Sequence, residues 1–284
     1  MTGVQAFFLP VGTSQRYCVY HPPQGRVRHL VLYIHPFAEE INKTRRMAAL
    51  QARSLAAAGD AVLQLDLLGC GDSAGDFAEA RWDAWLEDLQ AAARWLQQHA
   101  QGGSLWLWGL RAGCLLAADA ARRMDTPCHL LFWQPSFADG SLQLQQFLRL
   151  RLAADMIAQP DPQARQTRGA MDALRQQLQA GEPLEIAGYT LSPTLADGLQ
   201  HSRLLPAPSP GPVARRLVWL ELASSATATL SPLGSRTLEQ WRVAGWQVQG
   251  TAATGPAFWQ STEIEEAPAL IDATLDALAT EPTA

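Results

Sequence analysis

The chain has 284 residues, of which 48% are hydrophobic and 17% charged, and its formal net charge is −5. This is the composition of a globular protein with a large core, and it excludes extended disorder. The 22 basic residues are outnumbered by 27 acidic ones and form no block, so we expect no nucleic-acid groove, which needs concentrated positive charge. No run of 18 uncharged apolar residues occurs, so we expect no membrane span.

Four cysteines are scattered along the sequence without a CxxC pair: Cys18, Cys70, Cys114 and Cys128. Their spacing from the histidines is not that of metal ligands, so we expect buried, reduced thiols, no metal and no cofactor. The first residues lack the basic and apolar regions of a signal peptide. Together these features predict a cytoplasmic protein.

Short apolar runs alternate with segments of helical periodicity, a pattern typical of parallel strands joined by crossover helices. Strands are predicted at residues 6–9, 16–20, 30–35, 61–66, 104–108, 129–133, 216–221 and 246–249. Helices are predicted at residues 44–58, 82–99, 112–124, 235–244 and 264–278. The first two strands favour a hairpin.

The middle of the chain has a different composition, rich in Gln, Arg and Ala and ending in prolines. It predicts helices at residues 142–157 and 164–180, followed by a rigid Pro-rich return. We therefore expect one structural unit, with residues 1–138 and 212–284 forming the core and residues 139–211 inserted as a helical cap.

The strongest local signal is the strand–turn–helix around Gly109-Leu110-Arg111-Ala112-Gly113. A sharp turn of this kind brings strand and helix backbones so close that the residues two before and two after its centre must be small. An ordinary βα turn is the alternative. The spacing is typical of a nucleophile elbow, so we predict an α/β-hydrolase fold with a mostly parallel eight-stranded sheet flanked by helices. Arg111 stands where that fold normally carries serine.

The segment Ile34-His35-Pro36-Phe37 follows the predicted third strand. In hydrolases this loop supplies one N–H of the oxyanion hole, and the residue after the nucleophile supplies the other. By position these donors are Phe37 and Ala112. His35 could polarise a substrate, although a histidine at a strand end more often orders the neighbouring loop.

Three segments carry a wider similarity: HPFAEEINKTRR at residues 35–46, GCGDS at 69–73 and GLRAG at 109–113, with GPAFW at 255–259 in support. Together they resemble the exosortase A system-associated hydrolase 2 family. The resemblance implies an α/β-hydrolase fold and a setting in exopolysaccharide production and PEP-CTERM protein sorting. It also makes a sibling exosortase-associated hydrolase a candidate partner.

Acyl transfer on this fold needs a nucleophile, a histidine base and an acid. Arg111 cannot replace the serine, because a guanidinium stays protonated and only donates hydrogen bonds. No histidine follows His201, and the loop where the base belongs ends in Trp259. Glu221 could supply the acid, although its position at a strand end also fits a structural role.

Arg111 then has two interpretations. It could clamp a carboxylate or phosphate with two hydrogen bonds, or it could form a buried ion pair with Glu39, Asp66 or Glu221. The density of charge in residues 39–46 also favours ligand contacts, although helix capping by Asn42 or Thr44 explains part of it.

Two functions stay open. The first is a hydrolase or acyl-transfer enzyme that works without the Ser-His-Asp triad, with Arg111, Glu39 and His35 as candidate catalytic groups. The second is a catalytically silent pseudoenzyme that binds an anionic ligand or a partner hydrolase. A small anionic or acyl substrate would contact Phe37, Ala112, Glu40, Asn42, Arg45 and Trp259.

Overall fold

The computed structural model describes residues 3–135, 138–158, 167–207, 215–225, 227 and 229–279. These ranges contain ten strands, eight of them in one sheet and two in a separate hairpin. In chain order they are β1 Gln5–Val11, β2 Ser14–His21, β3 His29–Ile34, β4 Ala61–Leu65, β5 Ser104–Leu110, β6 Cys128–Trp133, β7 Leu184–Ile186, β8 Tyr189–Leu191, β9 Arg216–Ala223 and β10 Gln247–Thr254.

The large sheet has the order β1-β2-β4-β3-β5-β6-β9-β10. Strand β2 runs antiparallel to both β1 and β4, and every other pairing is parallel. Strands β3, β5 and β6 are almost entirely buried, as continuous apolar runs covered on both faces should be. The predicted α/β-hydrolase fold, with a mostly parallel eight-stranded sheet and an opening hairpin, is confirmed.

Eight helices are described: α1 Glu40–Ala57, α2 Trp82–His99, α3 Gly113–Arg123, α4 Gly140–Ala158, α5 Thr167–Gln179, α6 Pro193–His201, α7 Pro232–Val243 and α8 Pro268–Ala279. The start of α1 precedes the predicted one by four residues, whereas α8 starts four residues after its predicted start, with Pro268 in its first turn. Helices α1 and α8 cover one face of the sheet, and α2, α3 and α7 cover the other.

The C-terminal end of α8 is held by two arginines at the starts of strands. Arg28 Nη2 donates to the carbonyl of Leu278 at 3.1 Å, and Arg216 Nη2 donates to that of Ala277 at 2.9 Å. The last carbonyls of a helix lack partners within it and carry partial negative charge, so guanidinium groups stabilise this end.

The inserted cap contains α4, α5, the β7–β8 hairpin and α6. Its two ends meet at an isolated antiparallel bridge between Asp139 and Arg203. Next to it, Gly140 N–H donates to Ser202 O at 3.0 Å. The predicted end of the cap at 211 and the predicted start of its second helix at 164 lie outside the described residues. The domain boundaries stay a prediction.

The hairpin and α6 were not predicted from the sequence. Each hairpin strand has only three residues, and the turn between them uses Ala187, at φ +50°, before Gly188. Helix α6 did carry a start signal, because Ser192 accepts a hydrogen bond from Leu195 N–H and Pro193 follows it.

The four cysteines are buried and free, as expected. None of the helices in the described part of the chain is long and apolar enough to cross a membrane.

Candidate active site

The turn between β5 and α3 has the geometry of a nucleophile elbow. Its centre, Arg111, has φ +57°, in the left-handed region that costs an ordinary L-residue about 1–2 kcal/mol. The N–H of Arg111 donates to the carbonyl of Trp133 at the end of the neighbouring strand, at 3.0 Å. Strand pairing therefore holds the strained turn in place.

The two flanking glycines are required by close backbone contacts. A Cβ on Gly109 would lie 2.7 Å from the Cα of Cys114. A Cβ on Gly113 would lie 2.7 Å from the carbonyl oxygen of His35 and even closer to that of Ile34. The predicted elbow is confirmed, and the start of α3 rests directly on the end of β3.

The side chain of Arg111 is buried in an ion pair with Glu40. Its Nε and Nη2 donate to the same carboxylate oxygen, Glu40 Oε1, at 3.1 and 2.8 Å, and both side chains are 5% exposed. The guanidinium carbon lies 5.1 Å from the ring centre of Trp259, in cation–π contact. Gln146 from α4 of the cap accepts a long hydrogen bond from Nη2 at 3.4 Å. The guanidinium is thus neutralised and enclosed.

The ion-pair partner differs from the three that were predicted. Asp66 accepts two hydrogen bonds from Arg45, at 3.3 and 3.2 Å, so its carboxylate is engaged by another arginine. Glu39 precedes α1 and has no hydrogen bond to Arg111. The carboxylate of Glu40, the first residue of α1, therefore pairs with Arg111, whereas that of Glu39 does not.

Glu221, the candidate acid, accepts hydrogen bonds from a residue of β9 and from the residue that precedes α7. Its Oε1 accepts from Trp219 Nε1 at 2.8 Å and from Ser231 Oγ at 2.9 Å, and its Oε2 accepts from Ser231 N–H at 2.7 Å. Ser231 in turn caps α7 by accepting from Gly234 N–H. This arrangement joins β9 to α7 and leaves Glu221 a structural role.

The N–H groups of Phe37 and Ala112 are the expected oxyanion-hole donors. Phe37 follows β3 and Ala112 follows Arg111, and the start of α3 packs closely on the end of β3. Neither N–H donates to an acceptor in the described part of the chain, so both are available to a ligand.

Glu39 and Glu40 are both carboxyls with perturbed ionisation. Burial raises the pKa of Glu39 to about 7, and the charge of Glu40 adds to the effect. Burial also raises the pKa of Glu40, while Arg111 opposes the shift. Each carboxyl keeps one buried oxygen, Oε2, without a hydrogen-bond partner among the described residues. Unsatisfied acceptors of this kind are uncommon in cores and occur at functional sites.

His35 is fully enclosed by backbone. Its Nδ1 lies 2.7 Å from the carbonyl of Pro36, and its Nε2 accepts from Leu67 N–H at 3.3 Å. Burial lowers the pKa of His35, which favours the neutral ring that this pair of contacts needs. The geometry supports the loop-ordering interpretation, with both ring nitrogens occupied.

Aromatic side chains from core and cap meet above the oxyanion-hole loop. Phe37 packs edge-on against Phe147 of α4 with ring centres 5.1 Å apart, and Phe77 packs against Tyr189 of β8 at 5.0 Å. Phe37, Phe77 and Phe147 are at most 8% exposed. The cap therefore closes over the elbow with an apolar, aromatic lining.

The candidate substrate contacts divide into two groups. Phe37, Ala112, Glu40 and Trp259 gather around the elbow, whereas Asn42 is exposed on α1 and Arg45 pairs with Asp66. Neither Asn42 nor Thr44 caps α1, which begins before them, and Thr44 Oγ1 instead donates to the carbonyl of Glu40. The capping prediction is wrong. Gln146 was missed because it comes from the cap, and no local pattern marks it.

Comparison with known families settles the relationship of the chain. The Hydrolase_4 family, described as serine aminopeptidase S33, matches residues 25–180, more than half of the sequence. The chain belongs to this family. No curated relative matches it.

Solved structures agree on the fold at low sequence identity. Est1E from Butyrivibrio proteoclasticus, solved with ferulic acid bound, is 14% identical, with 96% of each chain covered and a TM-score of 0.58. A thermostable carboxyl esterase from Bacillus coagulans is 14% identical over 90% of this chain and 91% of its own, with a TM-score of 0.60. A monoglyceride lipase variant from Saccharomyces cerevisiae is 14% identical over 98% and 94%, with a TM-score of 0.59.

Proposed function

We propose that this chain binds an acyl compound at its elbow and does not cleave it by the serine mechanism. The observation that carries the proposal is the buried Arg111–Glu40 pair at the nucleophile position. A guanidinium cannot attack a carbonyl carbon, and here its charge is already neutralised by a carboxylate. An anionic ligand would have to displace Glu40, so a neutral ester or amide suits the site better than the anion considered first.

The place of the histidine base supports the same proposal. The loop that follows β10 contributes Trp259, whose ring covers the guanidinium of Arg111. An indole carries no basic nitrogen and cannot accept a proton from a nucleophile. Two members of the usual triad are thus replaced by groups that contact each other.

Binding without cleavage rests on what the elbow retains. The free N–H groups of Phe37 and Ala112 suit a carbonyl oxygen. The aromatic lining formed with Phe77, Phe147 and Tyr189 suits an apolar acyl chain. The close contact of Phe37 with Phe147 means that the cap must move for a ligand to enter.

A second candidate function is hydrolysis with Glu39 as the base. Its support is the pKa of Glu39, raised to about 7 by burial, together with a carboxylate oxygen that has no partner. A base poised near neutral pH could take a proton from water as the water oxygen attacks the acyl carbon. The N–H groups of Phe37 and Ala112 would stabilise the resulting oxyanion. As the oxyanion collapses, the bond from the acyl carbon to the alcohol oxygen breaks, and the proton held by Glu39 passes to that oxygen.

One pair of measurements separates the two candidates. The first is release of p-nitrophenol from short-chain p-nitrophenyl esters by the wild type, Glu39→Gln and Arg111→Ala. The silent protein gives background rates in all three, whereas the Glu39 mechanism gives turnover that Glu39→Gln abolishes. The second follows the backbone amide NMR signals of Phe37 and Ala112 during titration with ethyl butyrate. Binding at the elbow shifts both signals, and unmoved signals at saturating ester contradict it.

We also propose that, within its family, this chain belongs to the exosortase A system-associated hydrolase 2 group. The segments at residues 35–46, 69–73 and 109–113 support this assignment. Deletion of the gene in a bacterium that has this system should lower exopolysaccharide production. A sibling hydrolase should co-purify with the tagged chain if the two are partners. Unchanged exopolysaccharide in the deletion strain would contradict the assignment.

A further inference from the structure

A cavity of about 450 Å³ lies between α1 and the sheet where β2 and β4 pair, apart from the elbow. Its floor follows from the strand register. Val19 of β2 is opposite Gln64 of β4, which in turn is opposite Tyr33 of β3, so these three side chains share one face. His21 is two residues beyond Val19 on β2 and therefore points to the same face.

The wall of the cavity is one side of α1. Arg45, Ala48, Ala49 and Arg53 line it, at spacings that repeat on one face of a helix. The two alanines are too small to fill the space above the strands, while the arginines stand two turns apart at its ends. The small residues in the middle of this face explain why a cavity is present.

The two arginines differ in their partners. Arg45 is held by the carboxylate of Asp66, at 3.3 and 3.2 Å, so charge is balanced at that end. Arg53 has neither an ion pair nor a hydrogen bond within the described ranges, and its side chain is exposed. The cavity thus has one guanidinium without a counter-ion.

Two buried polar groups on the floor are also incomplete. His21 Nε2 lies 3.0 Å from Gln64 Oε1 and donates to it, which leaves Nδ1 as an acceptor with no partner among the described residues. Burial and the nearby charge of Arg53 both lower the pKa of His21, so its ring is neutral. The hydroxyl of Tyr33 lies beside Thr44 but makes no hydrogen bond of normal geometry among the described residues, and both His21 and Tyr33 are at most 5% exposed.

We propose that this cavity is a second binding site, for a small organic monocarboxylate with an apolar body. The carboxylate binds Arg53, which among the described residues that line the cavity is the one cationic group without a partner. The hydrocarbon part lies between Val19 and the two alanines of α1. Such a site combines an apolar cavity with a few convergent polar groups, as small-molecule sites do. A second negative charge finds no free cation, because Arg45 already pairs with Asp66.

Calorimetric titration of the full chain with sodium benzoate tests the proposal, with benzamide as the uncharged probe of the same shape. We expect saturable binding of benzoate and binding of benzamide weaker by roughly tenfold or more, since the charge-assisted bond to Arg53 is lost. Arg53→Gln should weaken benzoate by a similar factor. Arg94→Gln makes the same charge change on the exposed face of α2 and should leave benzoate affinity within about twofold.

A second variant fills the space. Ala49→Leu, on the partly exposed side of α1, should abolish benzoate binding while the circular dichroism spectrum and the unfolding midpoint stay close to those of the wild type. No saturable binding to the wild type overturns the proposal, as does equal affinity in the wild type, Arg53→Gln and Ala49→Leu. Neither outcome affects the proposal for the elbow. That proposal is tested separately, by the shifts of the Phe37 and Ala112 amide signals during titration with a neutral ester.

Discussion

Two buried arginine–carboxylate pairs differ in how completely they are satisfied. Arg16 Nε donates to Asp88 Oδ1 at 2.7 Å, and the other carboxylate oxygen accepts from Leu68 N–H at 2.8 Å. At the elbow, Arg111 directs two N–H groups to a single oxygen of Glu40 and leaves the other oxygen without a described partner. Both pairs are at most 5% exposed, so burial does not account for the difference.

The complete pair joins parts of the fold. Arg16 lies on β2, Asp88 on α2 and Leu68 in the loop after β4, and Arg16 also donates to Ser14 Oγ at 3.0 Å. A fully satisfied network in the core stabilises one arrangement. The incomplete pair lies instead at the centre of the elbow, beside two free N–H donors. We infer that the Arg16–Asp88 pair stabilises the fold, whereas the Arg111–Glu40 pair leaves Glu40 Oε2 available to a ligand at the elbow.

Removing Asp88 should give the largest effect. Asp88→Ala leaves the Arg16 guanidinium buried without its counter-charge, which should lower the free energy of unfolding by about 3–5 kcal/mol. Urea denaturation measures this. The control is Asp83→Ala, which removes an exposed partner of Arg123 and should change stability by less than about 1 kcal/mol. Equal losses in the two variants would remove the distinction between the buried network and a surface pair.

Removing Arg111 should have a smaller effect. Arg111→Met isolates Glu40, but this carboxyl can take up a proton because burial already raises its pKa, so we expect a loss of about 1–3 kcal/mol. Arg111→Met combined with Glu40→Leu replaces the pair by apolar groups and should recover most of that loss. A double variant as unstable as the sum of its single changes would show that the elbow pair stabilises the fold as strongly as Arg16–Asp88 does.

Glu39 should make the stability contributed by the elbow depend on pH. Its pKa, near 4.5 when unperturbed, is raised to about 7 by burial, so the folded state holds the proton more tightly than the unfolded chain does. Stability from this group is therefore present below about pH 4.5 and falls as pH rises towards about 7. Glu39→Gln should remove that slope, so the variant should gain on the wild type between these values in urea titrations. Parallel curves for the two proteins would contradict the raised pKa.

The contact from the cap should contribute least. Gln146 reaches Arg111 at 3.4 Å, at the long limit for a hydrogen bond, so Gln146→Ala should lower stability by less than about 0.5 kcal/mol. The same urea titration measures it. If the free energy of unfolding fell by more than about 1 kcal/mol, Gln146 would be an important partner of Arg111. The elbow would then resemble the fully hydrogen-bonded Arg16–Asp88 network.

The sequence predicted the fold well because its signals are local. Alternating apolar runs and glycines at 109 and 113 are consequences of strand burial and of backbone contact, and both are visible in neighbouring residues. The partner of Arg111 was not predictable in this way. Glu39 and Glu40 differ by about 100° around a helix, so the choice between them depends on where α1 begins, and α1 begins four residues before its periodicity suggested.

Other parts of the site depend on contacts between distant segments. The ring of Trp259 lies over Arg111 because the loop after β10 returns to the elbow. The two residues are 148 positions apart in the sequence. Gln146 arrives from an inserted helix with no motif of its own. Tertiary packing decides such contacts, and a single sequence carries no local pattern that records it.

The close approach of α3 to β3 explains how the turn at the elbow can be preserved without a catalytic role. Gly109 and Gly113 are required by backbone contacts alone. Selection for a folded chain therefore preserves them whether or not the elbow catalyses a reaction. The turn can therefore persist in a chain that carries no nucleophile at its centre. Arg111→Ser would place a hydroxyl there, but the serine mechanism would also require a base in place of Trp259.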